Sequence, residues 1–147
     1  MVVKSLFIGE YRHSLDNKGR IIVPARFRDE LNGSFIITRG LDTCLFGFTM
    51  EEWSNQGNKI ATLPLTQGDA RAFSRLFFSG AAECEMDKQG RVLLPSNLRE
   101  YAKIDKDVVV IGVSDRFEIW SQEVWDEYSQ KTSESYENIA ETLVSIN

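Results

Sequence analysis

The sequence is poor in the residues that build most metal and redox sites. It contains one histidine, two cysteines and three prolines among 147 residues. Cys44 and Cys84 lie in apolar surroundings, without a Cys-x-x-Cys spacing or a neighbouring histidine. That pattern is typical of reduced core thiols rather than of metal-binding or redox cysteines. We therefore expect no metal site and no cofactor.

The sequence also lacks the groupings that support catalysis. The single histidine, His13, falls on the apolar face of an alternating stretch, which indicates a packed structural imidazole. No nucleophile and base pair, metal-ligand cluster or phosphate-binding glycine loop is recognisable, so an enzyme would have to work through carboxylates and arginines alone. We expect a protein that is not an enzyme and has no small-molecule substrate. A hydrolase or nuclease acting through carboxylates is the alternative, and turnover of nucleic acid with magnesium would support it.

Long apolar runs are missing as well. No stretch of 18 apolar residues occurs, and the N-terminal stretch has no small-residue cleavage site of a secretory leader. We therefore expect a cytoplasmic protein that does not contact a membrane. With 147 residues, of which 42% are hydrophobic, the chain fits one ordinary globular domain or two interlocked small ones.

Charge is distributed unevenly along the chain. The net charge of −5 by itself argues against nucleic acid, because phosphate binding usually leaves a basic footprint. Residues 1–28 nevertheless carry six basic side chains against two acidic ones, whereas residues 118–147 carry seven acidic side chains against one basic. This asymmetry predicts an N-terminal region that faces a polyanion and a C-terminal region that faces solvent or a partner.

One phrase occurs twice in the chain. Residues 16–31 and 87–102 both read Asp-x-x-Gly-Arg, then a hydrophobic triplet, a proline and a helix-like stretch. The matching positions are Asp16/Asp87, Gly19/Gly90, Arg20/Arg91, Pro24/Pro95 and Arg28/Arg99. Each copy spans about 45 residues, close to the size below which a unit seldom buries enough surface alone. The tandem duplication therefore predicts two units that complete each other's core.

Each phrase has the pattern of a strand, a turn and a second strand. Polar and apolar residues alternate over residues 10–16, with Tyr11, His13 and Leu15 on one face, and residues 82–86 repeat the pattern. The Asp and Gly that follow predict a type I turn with a positive-φ glycine and a bulge. Short strands over residues 20–23 and 91–94 come next, and the proline after each suits the first position of a short helix.

A second hairpin and a helix follow in each repeat. The predicted hairpin strands are residues 35–38 with 44–48, and residues 108–113 with 116–120. Thr49 with Glu52 predicts a capping box that opens a helix, and Ser121 is the corresponding cap in the second repeat. Thr66 with Asp69 predicts a further helix that runs to about Phe77.

The tail has the pattern of a short amphipathic helix. It begins at about Glu134 and places Ile139, Leu143 and Ile146 four and three residues apart. We expect the apolar side of this helix to pack against another apolar surface, for example that of a neighbouring protomer.

The turn phrase is the strongest candidate for a functional site. The Asp16 carboxylate can hold turn amides or the Arg20 guanidinium, while Lys18 and Arg20 project at the end of a strand. The second copy supplies Asp87, Lys88 and Arg91. Turn stability alone would explain a single copy, but a turn needs its Asp and Gly and has no need for Arg. The duplicated arginine therefore favours two cationic tips on one molecule.

Three stretches, of which the first two contain these motifs, resemble the MraZ family, bacterial transcriptional regulators with two AbrB-type domains. They are FIGEYRHSLDNKGRIIVPARFRDEL, LPLTQGDARAFSRLFFSGAAECEMDKQGR and VVVIGVSDRFEIWS, and the similarity runs from residue 6 to about residue 144. The resemblance implies an α+β, β-rich fold in which two tandem AbrB-like swapped-hairpin repeats form one pseudo-twofold double-split β-barrel with peripheral helices. The expected units are repeat 1 (10–52), a linker with a helix (53–80), repeat 2 (81–124) and a C-terminal helical tail (125–147).

The resemblance also implies a function and a site. It implies a homo-oligomer, a closed ring, that binds double-stranded DNA at short tandem repeats upstream of the division and cell-wall gene cluster and is associated with the nucleoid. The DNA-facing motif falls on Arg12, Asp16, Lys18, Arg20, Asp87, Lys88 and Arg91. Arginines would read guanine edges or clamp phosphates, lysines would bind phosphates, and aspartates would orient them. Ring assembly would align the basic tips of an acidic chain on one surface.

The two copies are not equivalent. Arg12 and Ser14, which precede the first turn, correspond to Glu83 and Glu85 before the second. The two glutamates should repel phosphate, so we expect the first repeat to dominate DNA binding.

Two features depart from the family pattern, and one alternative function stays open. The chain starts with Met-Val-Val-Lys-Ser before the usual start near Leu6, and Gln89 stands where the first copy has Lys18. The alternative is an antitoxin-like protein-interaction module that uses the same barrel. Salt titration distinguishes the two, because DNA binding weakens steeply with ionic strength and an apolar complex does not.

Overall fold

The computed structural model describes residues 6–144, in which two similar runs of strands and helices follow one another. The first run contains β1 (Glu10–Ser14), β2 (Arg20–Ile22), α1 (Ala25–Arg28), β3 (Ser34–Arg39), β4 (Leu45–Thr49) and α2 (Met50–Ala61). After α3 (Gly68–Ser79), the second run contains β5 (Ala82–Glu85), β6 (Arg91–Leu93), α4 (Ser96–Tyr101), β7 (Asp107–Val113), β8 (Arg116–Ser121) and α5 (Gln122–Glu134), and α6 (Tyr136–Val144) ends the described part. The same element order occurs twice, as the duplication predicts.

The two repeats exchange strands. The hairpins β3–β4 and β7–β8 form within the repeats as predicted, but β1 pairs with β7, β5 pairs with β3, and β2 pairs with β6. The result is a six-stranded sheet in the order β1-β7-β8-β4-β3-β5 and a two-stranded sheet of β2 and β6. The strand-rich α+β class with two repeats is therefore confirmed. Within residues 6–144 the hydrogen-bonded ladders leave both sheets open, so they do not themselves close a barrel.

Both repeats contribute to one hydrophobic core. The Phe27 ring of α1 lies with its centroid 5.0 Å from the ring of Phe7 and 6.0 Å from that of Phe117 in the second repeat. Leu98 of α4, which corresponds to Phe27 in the second repeat, is buried in the same cluster. Because neither repeat covers its apolar face with its own residues, each depends on the other for burial.

The two cysteines are buried, and the single histidine is half-buried. Cys44 and Cys84 are both buried and free. Burial is the main cause that raises the pKa of the Cys84 thiol to about 11, and burial also raises the pKa of Cys44. His13 lies half-buried on β1, on the face that the alternation predicted. Both thiols are therefore protonated at neutral pH, as core cysteines should be.

Two predictions of helix starts were wrong in detail, and a third was right in position only. Pro24 and Pro95 occupy the N-cap rather than the first helical position, because their extended ψ angles of 136° and 143° still belong to the preceding segment. The helix predicted from Thr66 begins at Gly68, after Gln67 as its N-cap. Ser121 is the N-cap of α5, as predicted, but its side chain makes no capping hydrogen bond, and the residue is also paired with Val108 at the end of β8.

The cap at Thr49 and the tail helix are closer to expectation. The Thr49 hydroxyl accepts a hydrogen bond of 3.1 Å from the Glu52 amide, whereas the Glu52 carboxylate accepts from side chains of its own helix, so one arm of the capping box forms. The tail is helical as predicted, and its Leu143 is 61% exposed. Ile146, the last residue of the predicted apolar stripe, lies outside the described residues. None of the helices within residues 6–144 is both long and apolar enough to cross a bilayer.

The shared core predicts that the two repeats unfold together. Phe27→Ala and Leu98→Ala should each destabilise the protein by about 2–5 kcal/mol through loss of buried apolar contacts and the cavity left behind. Chemical denaturation followed by circular dichroism should show a single transition that shifts in both variants. Tyr136→Ala, at a side chain that is 72% exposed, is the control and should change stability by less than about 0.5 kcal/mol. Two separate transitions, of which each variant shifts only one, would contradict the shared core.

Candidate nucleic-acid interface

Both Asp-x-x-Gly-Arg phrases form the predicted turn. Gly19 and Gly90 have φ angles of +79° and +77°, in the left-handed region that glycine adopts without a steric cost. The glycine amides donate to the carbonyl oxygens of Asp16 and Asp87 over 3.1 and 3.0 Å. The same two aspartates donate their own amides to the carbonyl oxygens of the arginines that follow each glycine, which closes a bulged turn.

The aspartates anchor the turns through their carboxylates. Asp16 Oδ1 accepts hydrogen bonds of 2.9 Å from the amides of Lys18 and Arg20, and Oδ2 accepts one of 2.7 Å from Arg20 Nε. The hydrogen bond from the Arg20 amide, together with those from the Arg20 side chain and the Lys18 amide, lowers the pKa of Asp16 to about 2. Asp16 is therefore ionised at neutral pH and holds the guanidinium beside the turn.

The second turn repeats this arrangement. Asp87 Oδ1 accepts from the amides of Gln89 and Arg91 at 2.9 Å, and Oδ2 accepts from Arg91 Nε at 2.8 Å. The Arg91 amide is again the first cause that lowers the pKa of Asp87. Each aspartate accepts a hydrogen bond from the Nε–H of its own arginine. Within residues 6–144 the terminal nitrogens of Arg20 and Arg91 make no hydrogen bond, so they can donate to an external anion.

The β2–β6 pairing brings the two turns to one surface. Arg20 lies opposite Leu93 and Arg91 lies opposite Ile22, so these four side chains share one face of the two-stranded sheet. The intervening residues of both strands point into the core, whereas Ile22 and Leu93 are 41% and 56% exposed. Arg20 Nη1 lies 4.0 Å from Asp87 Oδ2 of the other turn. The two arginines are thus neighbours on an outward face.

The predicted lysines and Arg12 are placed differently. Lys18 and Lys88 are exposed in the two turns beside these arginines. Arg12 Nη2, in contrast, lies 2.8 Å from Asp126 of α5 and 3.1 Å from Glu10. Because two carboxylates offset its charge, the geometry lends less support to a DNA-binding role for Arg12 than for the turn residues, and that role stays a prediction.

Arg28 and Arg99 are site residues that the sequence reasoning missed. Each lies in the short helix of one repeat and covers the turn glycine of the other. A Cβ atom built on Gly90 would lie 2.4 Å from Arg28 Cζ, and one on Gly19 would lie 3.2 Å from Arg99 Cζ. Both arginines match between the repeated phrases, which is a signal in the sequence, but only the strand exchange shows that they cross to the opposite turn.

Within residues 6–144, no group of three or more His, Cys, Asp or Glu side chains is placed to hold a metal ion. The groups that this surface does present are the guanidinium groups of Arg20 and Arg91, each held by a carboxylate, and the exposed ammonium groups of Lys18 and Lys88. Such groups bind phosphate and the acceptor atoms of bases.

Known proteins are similar to this chain over almost its full length. The family model described as "MraZ protein, putative antitoxin-like" matches the chain twice, over residues 6–76 and 77–147. A transcriptional regulator MraZ from Natranaerobius thermophilus is 63% identical over 139 residues, which are 95% of this chain and 97% of that protein. Proteins of the same name from Thermoanaerobacter sp. and Moorella thermoacetica are each 59% identical, over 97% and 95% of this chain and 99% and 97% of their own lengths.

The anchoring of the first turn can be tested by titration. Asp16 should titrate at about pH 2, and in Arg20→Ala its pKa should rise only in part, because the two backbone amides stay in place. A depressed folded-state pKa means that this carboxylate stabilises the fold above its ordinary pKa near 4 and that the stabilisation is lost as the pH falls toward 2. Carboxyl-detected NMR of the protein and of an unfolded peptide measures both values. An Asp16 that titrates near 4 in the folded protein would contradict the turn geometry.

Proposed function

The chain belongs to the MraZ family, and we propose that it is a transcriptional regulator that binds DNA sequence-specifically through its two Asp-anchored arginine turns. The relatives that match it over nearly their whole length are named transcriptional regulators, which supports the regulatory role. We propose as its target short tandem repeats upstream of the division and cell-wall gene cluster. Its expected location is the cytoplasm, associated with the nucleoid.

The observation that carries the proposal is the outward face of β2 and β6. A two-stranded β-ribbon is of a size that the major groove of B-DNA admits. This ribbon directs Arg20 and Arg91 outward with an aspartate behind each guanidinium. Arginine can donate two hydrogen bonds to O6 and N7 of guanine, and we propose that Lys18 and Lys88, which are exposed in the turns, contact phosphates.

The charge of the chain is a reason to propose an assembly. A molecule with a net charge of −5 gains little affinity from one small basic face. We propose that the two sheets enclose the common core as a pseudo-twofold double-split barrel, and that several such protomers form a closed ring. Successive arginine faces could then contact successive DNA repeats, which raises the effective concentration for each further contact.

One observation favours a second candidate, an antitoxin-like protein-interaction module. The apolar side of α6 is exposed, with Ile139 at 43% and Leu143 at 61%, and the matching family model is itself described as antitoxin-like. Complex formation through this helix would depend little on salt, whereas DNA binding through the turns should weaken steeply between 50 and 200 mM salt. Measuring DNA affinity over that range of salt concentration distinguishes the two functions.

Removing the first arginine tests the site assignment. Arg20→Ala should abolish the gel shift with the promoter repeats, because each bidentate guanine contact contributes about 1–3 kcal/mol and the ring multiplies the loss. Light scattering should show an unchanged oligomer. Arg75→Ala removes the same charge from an exposed position of α3 and is the matched control, expected to bind as the parent protein does. DNA binding by Arg20→Ala at parental affinity would refute the site.

The two turns should contribute unequally. Glu83 and Glu85 are exposed on β5 just before the second turn, so the second turn carries negative charges that repel phosphate. We therefore expect Arg91→Ala to reduce affinity less than Arg20→Ala. Fluorescence anisotropy with a labelled operator measures both, and Arg12→Ala should have the smallest effect because Asp126 and Glu10 already engage that guanidinium. Equal losses for Arg20→Ala and Arg91→Ala would show that the turns are equivalent.

A further inference from the structure

Arg28 and Arg99 join the two repeats at the turns themselves. Arg99 Nε donates to the Leu94 carbonyl over 3.1 Å, and its guanidinium lies on the face of Gly19 where a side chain would otherwise begin. Arg28 Nε donates to the Val23 carbonyl over 3.0 Å, and its guanidinium lies in the same way on Gly90. Each arginine thus belongs to one repeat and covers the turn of the other.

A continuous path of hydrogen bonds leads from Arg99 to the first turn. Leu94, which accepts from Arg99 Nε, donates its own amide to the Gly19 carbonyl over 3.0 Å. Gly19 in turn donates to the Asp16 carbonyl over 3.1 Å, and the Asp16 carboxylate holds Arg20. The path therefore begins in the second repeat and ends at the arginine of the first.

The mirror path leads from Arg28 to the second turn. Val23, which accepts from Arg28 Nε, donates its amide to the Gly90 carbonyl over 2.8 Å. Gly90 donates to the Asp87 carbonyl over 3.0 Å, and the Asp87 carboxylate holds Arg91. The two paths use the same atoms in the same order, so the crossing is a property of both turns.

We propose that Arg99 is a positioning residue for Arg20 and that Arg28 is a positioning residue for Arg91. The planar guanidinium covers the turn glycine while its Nε–H bonds to the end of the neighbouring strand, a combination that neither an aliphatic chain nor lysine provides. Covering the glycine limits the conformations of the one turn residue that has no side chain of its own, in addition to the anchoring by the aspartate. The arginine that the turn carries then meets its ligand already oriented, so less conformational entropy is lost on binding. This inference rests on the proposed DNA-binding function.

Because Arg28 and Arg99 each cover the turn of the other repeat, their expected order of importance for affinity is the reverse of that for independent repeats. If the first turn makes the stronger DNA contact, Arg99 of the second repeat should matter more for affinity than Arg28 of the first. A model in which each repeat acts alone gives the opposite order. Affinity measurements on the two alanine variants therefore separate the crossed arrangement from independent repeats.

The first experiment needs no DNA. Hydrogen exchange by mass spectrometry is measured on peptides that span residues 15–22 and 86–93 in the full-length protein. Arg99→Ala should accelerate exchange in the first peptide and leave the second at the parental rate, and Arg28→Ala should do the reverse. Arg99→Leu and Arg28→Leu retain more of the side-chain packing and serve where an alanine variant does not fold. Faster exchange in the peptide of the same repeat, or equal acceleration in both, would overturn the proposal.

The second experiment measures operator binding as a function of salt. Arg99→Ala should lower affinity roughly 2- to 30-fold, the range for a residue that acts without touching the ligand. Its salt slope should match that of the parent protein, whereas loss of a direct phosphate contact lowers the slope by about one. Arg99→Lys keeps the charge and should not restore affinity. Restored affinity in Arg99→Lys, or a lowered slope in Arg99→Ala, would identify a direct contact and refute the positioning role.

The two experiments also separate the positioning role from the proposed function. Crossed exchange effects in a protein that fails to bind the operator would support the coupling of Arg99 to the first turn and refute DNA binding. Operator binding that Arg20→Ala abolishes, with no effect of Arg99→Ala on affinity or exchange, would support the function and refute the positioning role.

Discussion

The candidate site depends on the pairing of β2 with β6. These strands have three residues each and come from different repeats, and their register decides which side chains face outward. Ile21 and Val92 fill the core side, so Arg20 and Arg91 must take the other. A shift of one residue in either strand would turn an arginine into the core and expose an aliphatic side chain, at a high cost in free energy. The hydrophobic core therefore also positions the charges.

The same constraint explains how an acidic protein can present a basic face. The acidic residues that outnumber the basic ones are concentrated in α5 and the tail, and one of them, Asp126, already binds Arg12. At the turns, the carboxylates of Asp16 and Asp87 accept hydrogen bonds from backbone amides and from the Nε–H of their own arginines. Since charge that is paired internally contributes little beyond a Debye length, the distribution of unpaired donors matters more for anion binding than the net charge.

Local features of this fold could be predicted from the sequence, and long-range ones could not. The turns, the second hairpins and the Thr49 cap follow from residue types a few positions apart, and the structure contains them. The contact of Arg12 with Asp126 joins residues 114 positions apart, and no local pattern marks it. The crossing of Arg28 and Arg99 to opposite turns likewise depends on strand exchange, although their repetition at matching positions was visible. The N-cap position of the prolines was missed because a shift of one residue at a helix end leaves no distinct signal.

Fusion of two repeats in one chain permits an asymmetry that a symmetric dimer could not have. In a dimer of identical repeats, each change at one turn would appear at the other. Here Lys18 has Gln89 as its counterpart, and Glu83 replaces Arg12, while the residues that build the turns are the same in both copies. The crossed contacts of Arg28 and Arg99 show why the building residues cannot diverge freely, since each copy completes the turn of the other. At the turns, the differences between the copies therefore fall on side chains that project from the shared frame, and these side chains are available to meet a ligand.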